Sequence, residues 1–170
     1  MDINSILGTL MGSDAVEQVS KDTGISVSDA KSVLEEVVPT LLKGAQGQAS
    51  DASTAQSFLE ALSSHGQADT SSITSFLQNV DTEDGAKIVG HLLGSNTEEV
   101  AAKATKKSGV STSTVLKIMS IAAPLLMSTL GKSAKSSAKS SDSSSMASIV
   151  GGLLDGVDAG DVLNIVKKLI

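Results

Sequence analysis

The chain carries one punctuated unit twice, and that duplication limits the folds open to it more than its composition does. Residues 15–45 read AVEQVSKDTGISVSDAKSVLEEVVPTLLKGA, and residues 100–130 read VAAKATKKSGVSTSTVLKIMSIAAPLLMSTL. A single offset of 85 places Gly24 on Gly109, Ser26 on Ser111, Ser28 on Ser113 and Pro39 on Pro124. Each glycine stands where a helix must end in the left-handed conformation that a Cβ disfavours, and the serines after it are N-cap residues for the next helix. The unit therefore reads as helix, tight turn, helix.

The second helix of each unit is the buried one. In the first copy Val27, Ala30, Val33, Leu34, Val37, Val38, Leu41 and Leu42 form a broad stripe, with Lys31, Glu35 and Glu36 left for solvent. In the second copy only Ser120 is polar between Ile118 and Met127, which predicts a central helix packed on several sides, here taken as Val115 to Leu130. That run of ten residues falls short of the roughly 20 that cross a bilayer, so no membrane span is read. Pro39 and Pro124 are each expected to bend their helix, since proline lacks the backbone donor and crowds the preceding turn.

Shorter amphipathic helices flank the two units. They are predicted over Ile3–Met11, with Ile3, Ile6, Leu7, Leu10 and Met11 on one face, over Thr54–Ser63 on Phe58, Leu59 and Leu62, over Ser71–Val80 on Ile73, Phe76, Leu77 and Val80, and over Glu83–Leu93. Gly44 is read as the end of the first unit and residues 45–53, AQGQASDAS, as a loop. Residues 132–145, KSAKSSAKSSDSSS, have nothing apolar beyond two alanines and read as a linker. Residues 146–170 regain helical periodicity, with Ile149, Val150, Leu153 and Leu154 before a glycine break and Val162, Ile165, Val166 and Leu169 after it.

The organisation expected is thus all-α. It comprises a multi-helix bundle over residues 1–131 built on the two units in a pseudo-twofold arrangement, a Ser/Lys-rich linker, and a C-terminal helical pair. A shorter motif threads through it: ILGTLMG, IVGHLLG and IVGGLLDG place Gly8, Gly90 and Gly151 inside aliphatic helices. Glycine costs about 1 kcal/mol in a helix relative to alanine, so these three are expected to mark close helix–helix approach.

Composition narrows the chemistry. With two phenylalanines, no tyrosine or tryptophan and no arginine, the chain lacks the residues most enriched in binding hot spots and in base stacking. The absence of cysteine excludes disulfides, thiolate metal sites and thiol catalysis. The acidic second residue and the lack of a basic n-region do not fit a secretory signal, and the expected location is the cytoplasm. The net charge of −6 is unevenly spread. Seven lysines (103, 106, 107, 117, 132, 135 and 139) and no acid fall between Val100 and Ser141, so about +7 faces about −13 elsewhere.

Taken together, these stretches resemble the YidB-like bacterial family known as domain of unknown function 937. The resemblance is carried by Gly24 to Leu42, Gly85 to Gly94 (GAKIVGHLLG), Gly109 to Leu126 and the Gly/Leu-rich tail from Ile149 to Ile170. Its most specific pieces are the GHLLG segment and the prolines of VPTLL and APLLM. The tail departs from the Asp-x-Asp-Gly run common in relatives and reads DGVDAGD. What the resemblance implies is an all-helical fold with no established activity.

The residues themselves present no catalytic, metal or cofactor set. His65 and His91 lack partners at ligand spacing. Asp155, Asp158 and Asp161 repeat every third position, where a calcium loop needs alternate acids, a sixth-position glycine and a twelfth-position glutamate. No nucleophile elbow or Ser-x-x-Lys set with its partner motifs is present. The expectation is a non-enzymatic protein that binds other proteins, itself included, as a homo-oligomer or filament. Its interaction surface would be the aliphatic tail residues Ile149, Val150, Leu153, Leu154, Val162, Ile165, Val166 and Leu169. The competing reading is DNA binding by residues 100–119 as a helix-turn-helix, with Lys103, Lys106, Lys107 and Lys117 as its basic patch. That reading requires Thr112, Thr114 and Lys117 to face solvent together.

Overall fold

The computed structural model describes residues 3–138, which form eight α-helices and one 3-10 turn, with no strand among the described residues. In chain order these are α1 (Ile3–Leu10), α2 (Ser13–Thr23), α3 (Val27–Ser50), α4 (Ala55–His65), α5 (Ile73–Gln78), α6 (Thr82–Leu93), the 3-10 turn Gly94–Asn96, α7 (Thr97–Ser108) and α8 (Thr112–Ala138). The fold is all-α, a multi-helix bundle.

Both helix-turn-helix units carry the punctuation expected of them. Gly24 ends α2 at φ 70° and Gly109 ends α7 at φ 76°, both left-handed. The Ser26 hydroxyl accepts from the Asp29 N–H at 3.0 Å, and the Ser111 hydroxyl accepts from the Thr114 N–H at 3.3 Å. Each cap satisfies a first-turn donor that has no partner inside its helix. Pro39 and Pro124 lie inside α3 and α8, which continue past them.

The bundle is assembled on α8, which packs against each of the other seven α-helices. Val115, Ile118, Met119 and every residue from Ile121 to Leu130 are buried, so Ile118 and Leu126, a little over two turns apart, are both core positions. The core is aliphatic: Ile6, Leu7, Val33, Val37, Leu42, Leu62, Leu125 and Leu130 meet α8 or one another with almost no exposure. By length and hydropathy alone Thr112–Lys135 would also suit a membrane, but 83% of its most apolar window is buried inside the bundle. A helix surrounded by protein on all sides has the composition of a helix surrounded by lipid.

Four expectations are corrected by the structure. Gly44 does not end the first unit: α3 runs on to Ser50, because Ala45 and Ala49 are buried and continue its apolar stripe past the glycine. The predicted linker is helical over 132–138, since α8 extends to Ala138 with Gly131, Ser133 and Ala134 buried. Small residues there pack by close approach, a signal that side-chain hydrophobicity does not register. Val27 stands 50% exposed at the first turn of α3, outside the stripe assigned to it. Finally, Gly8 and Gly90 do not mediate close approach, because a Cβ on either would meet nothing within 4 Å.

Other glycines do mediate it. A methyl group built on Gly85 of α6 would overlap the backbone carbonyl of Ser120 in α8. One built on Gly44 of α3 would lie 2.5 Å from the Leu92 carbonyl oxygen of α6. Gly66, just past α4, faces Gly131 of α8, with 2.8 Å left for a Cβ on Gly66. These contacts let α6 and the end of α4 sit against α8 at backbone distance.

Candidate functional site

The structure gives two of the four lysines of the candidate basic patch partners within the chain. Lys107 Nζ lies 2.7 Å from Glu36 Oε2, an ion pair between α7 and α3. Lys117 Nζ donates to the Asp22 carbonyl at 2.7 Å, at the C-terminus of α2. Further along α8, Lys135 Nζ donates to the Ser63 carbonyl at the end of α4, and Lys132 Nζ donates to Thr70 Oγ1. Lys117 and Lys135 are 18 residues apart, about five helical turns, so one face of α8 presents both. A cation at a helix C-terminus meets the negative end of the macrodipole and carbonyls without helical donors.

Lys103 and Lys106 stand exposed on α7. Thr112 and Lys117 are exposed, but Thr114 is half-buried with its hydroxyl 2.8 Å from that of Ser111. The three would-be recognition residues therefore do not form one open row. The eight tail residues, Ile149, Val150, Leu153, Leu154, Val162, Ile165, Val166 and Leu169, lie outside the described residues, as does the second half of the predicted linker.

His65 and Asp84 are the one histidine–carboxylate approach among the described residues. Nε2 and Oδ2 are 3.7 Å apart, an ion pair only when the imidazole is protonated. No group of three or more His, Asp or Glu that could hold a metal occurs among the described residues. His91 is exposed, and its backbone carbonyl accepts from Gln48 Nε2 at 2.7 Å.

That bond forms one lip of a small apolar pocket of about 120 Å³. Phe58 and Ala61 of α4, Ile88 and Leu92 of α6 and Met127 of α8 line it, and Gln48, Ser57 and His91 complete its rim. Two larger clefts are more polar in their lining. One, of about 330 Å³, lies where α1 meets α2, beside Asp14, Thr70 and Lys132. The other, of about 470 Å³, lies between α3 and the 3-10 turn, with Lys43 and Glu99 on its walls. Sequence periodicity pointed to none of the three, because each is lined from elements distant in the chain. Phe58 is one of only two aromatic residues, and it alone offered a signal.

Two aspartates have carboxyls held below the usual carboxylate range, both in turns. Asp51 is lowered by the Ser53 hydroxyl and the Ser53 N–H, which donate to Oδ1 at 2.6 and 2.8 Å. Asp69 is lowered chiefly by the Ser71 N–H at 2.9 Å. Each carboxylate fixes a turn that leads into the following helix, and neither faces the apolar pocket.

A family model described as a bacterial protein of unknown function (DUF937) matches residues 5–133. No curated protein and no solved structure matches the chain.

Proposed function

The chain belongs to this family of bacterial proteins of unknown function, and we propose that it acts as a non-enzymatic interaction or assembly protein whose contact element is the C-terminal segment. One observation carries the reading. Among the described residues Val27 is the exposed large hydrophobic, so the bundle offers no extended apolar face to a partner. The aliphatic residues from Ile149 to Leu169 lie outside the described residues, and by sequence pattern they are the apolar run left to make the contact.

Light scattering of the full chain beside a chain ending at Ser141, at low and high salt, tests it. Association of the full chain that truncation abolishes, and that salt weakens only in part, is expected. A pull-down from lysate, scored for protein and nucleic acid separately, extends the test to other partners. Turnover of a small molecule that is lost on changing His91 or Asp84 to alanine would overturn the reading.

DNA binding by α7 and α8 ranks second, favoured by the exposure of Lys103 and Lys106. Lys107 and Lys117, with partners inside the bundle, weigh against it. Retardation of duplex DNA that falls steeply with salt and disappears with Lys103→Ala and Lys106→Ala would move it to first place.

A further inference from the structure

The pocket between α4 and α6 has a floor that the bundle itself does not fill. Phe58, Ile88, Leu92 and Met127 are 6%, 7%, 6% and 2% exposed, so each is core on one side and meets the pocket on the other. Apolar cavities of about 150 Å³ hold a benzene ring, and a volume of about 120 Å³ therefore suits one aliphatic side chain. The hydroxyl, amide and imidazole of Ser57, Gln48 and His91 stand around the mouth, where the backbone of an inserted helix would pass. Neither larger cleft suits an aliphatic residue as well, since each carries a lysine and a carboxylate on its walls.

Tether geometry says what can reach this pocket. Met127 on its floor lies eleven residues before Ala138, about 16 Å along the α8 axis. Residues 139–148, KSSDSSSMAS, are Ser-rich, and ten residues of that composition have a root-mean-square reach of about 17 Å. Reach and span coincide, the condition under which a tethered segment is most concentrated at its site. An effective concentration of about 1 mM exceeds a micromolar second copy by about a thousandfold. The residues delivered there are IVGGLL, Ile149 to Leu154.

We infer that Ile149–Leu154 of the same chain docks across the mouth of this pocket and seats Leu153 in it. The interaction segment is thereby held folded back on α4 and α6 until a partner displaces it. The regulatory half of this statement rests on the tail being the contact element; the docking itself does not.

Hydrogen exchange of the full chain at micromolar concentration tests the docking. Amides of 149–154 are expected to be protected at least tenfold relative to a peptide of the same sequence, with no change on further dilution. Protection should be lost in Ala61→Phe, whose ring fills the pocket, and in Leu153→Asp, which leaves the bundle untouched and decides the matter if the pocket variant fails to fold. Absence of protection, protection that survives Leu153→Asp, or protection that vanishes on dilution would overturn the inference. The chain has no cysteine, so a Ser57→Cys, Gly152→Cys pair supplies an independent measurement. A disulfide within one monomer is expected, and a disulfide-linked dimer or no disulfide counts against it. These readouts need no partner, so they remain decisive even if light scattering and pull-down show no association.

Discussion

Gly85 of α6 lies directly against the backbone carbonyl of Ser120 in α8. Pro124, one turn further on, has no N–H to offer that oxygen, so the proline opens an acceptor on the most buried helix and the glycine brings a neighbouring backbone up to it. Gly85 and Pro124 thus serve one contact, that of α6 with α8.

Replacing Gly85 by alanine should destabilise the protein by about 1–3 kcal/mol, because the added methyl meets backbone that cannot move aside as a side chain could. Gly90, on the same helix, has open space around its Cα. Gly90→Ala should instead stabilise by about 0.5–1 kcal/mol through helix propensity. Urea unfolding of the pair checks both; equal effects of the same sign would remove the close approach from the account.

Ser128 is fully buried, and its hydroxyl has no hydrogen-bond partner in the structure. Leaving such a group unsatisfied costs about 1–3 kcal/mol. Ser128→Ala should therefore raise the thermal midpoint, with a gain of about 1 kcal/mol once the small void is counted. A loss of stability would mean that the hydroxyl has a partner after all.

Lys117 and Lys135 hold the carbonyl ends of α2 and α4. Lys117→Met and Lys135→Met keep the aliphatic stems and remove the donors, and each should cost about 0.5–1 kcal/mol. Lys103→Met on the exposed face of α7 should stay within about 0.5 kcal/mol of the parent. Thermal unfolding of the three variants separates structural lysines from a freely presented basic patch.

Acid should loosen two turns before it reaches the core. The folded carboxyls of Asp51 and Asp69 are held below their ordinary values by donors from Ser53 and Ser71. Their contribution is complete above the unfolded aspartate value, about 3.9, and is lost as pH falls through the lower folded values. Both carboxyls are exposed, so the effect is local: exchange of the Ser53 and Ser71 amides should accelerate in that window while Leu62 and Leu126 stay protected. Asp51→Ala and Asp69→Ala should remove the pH dependence at the corresponding amide.

The helical class and the two turns could be read from the sequence because their causes are local. Gly24 and Gly109 stop helices by backbone conformation, and Ser26 and Ser111 cap the next ones with their own hydroxyls. The central place of α8 could be read as well, since only a helix contacted on all sides lacks a polar face from Ile118 to Met127. The helix ends at Ser50 and Ala138 could not, because small residues keep those stretches helical by fitting against a neighbour. For the same reason Gly8 and Gly90, the conspicuous repeats, marked nothing, while Gly44, Gly85 and Gly131 carried the contacts. The apolar pocket was illegible because Phe58, Ile88 and Met127 meet only in three dimensions, and the lysine patch lost two members to Glu36 and the Asp22 carbonyl.

The helix that touches all seven others is also the last described element to be made. Until Thr112–Ala138 leaves the ribosome, α1 to α7 can pack on one another, as α3 does on α2, α4, α6 and α7, but the faces they turn to α8 stay open to water. At about 5–20 residues per second, the stretch from Ser13 to Thr112 takes roughly 5–20 s to synthesise. The core of the bundle can therefore close only late, when translation delivers its centre.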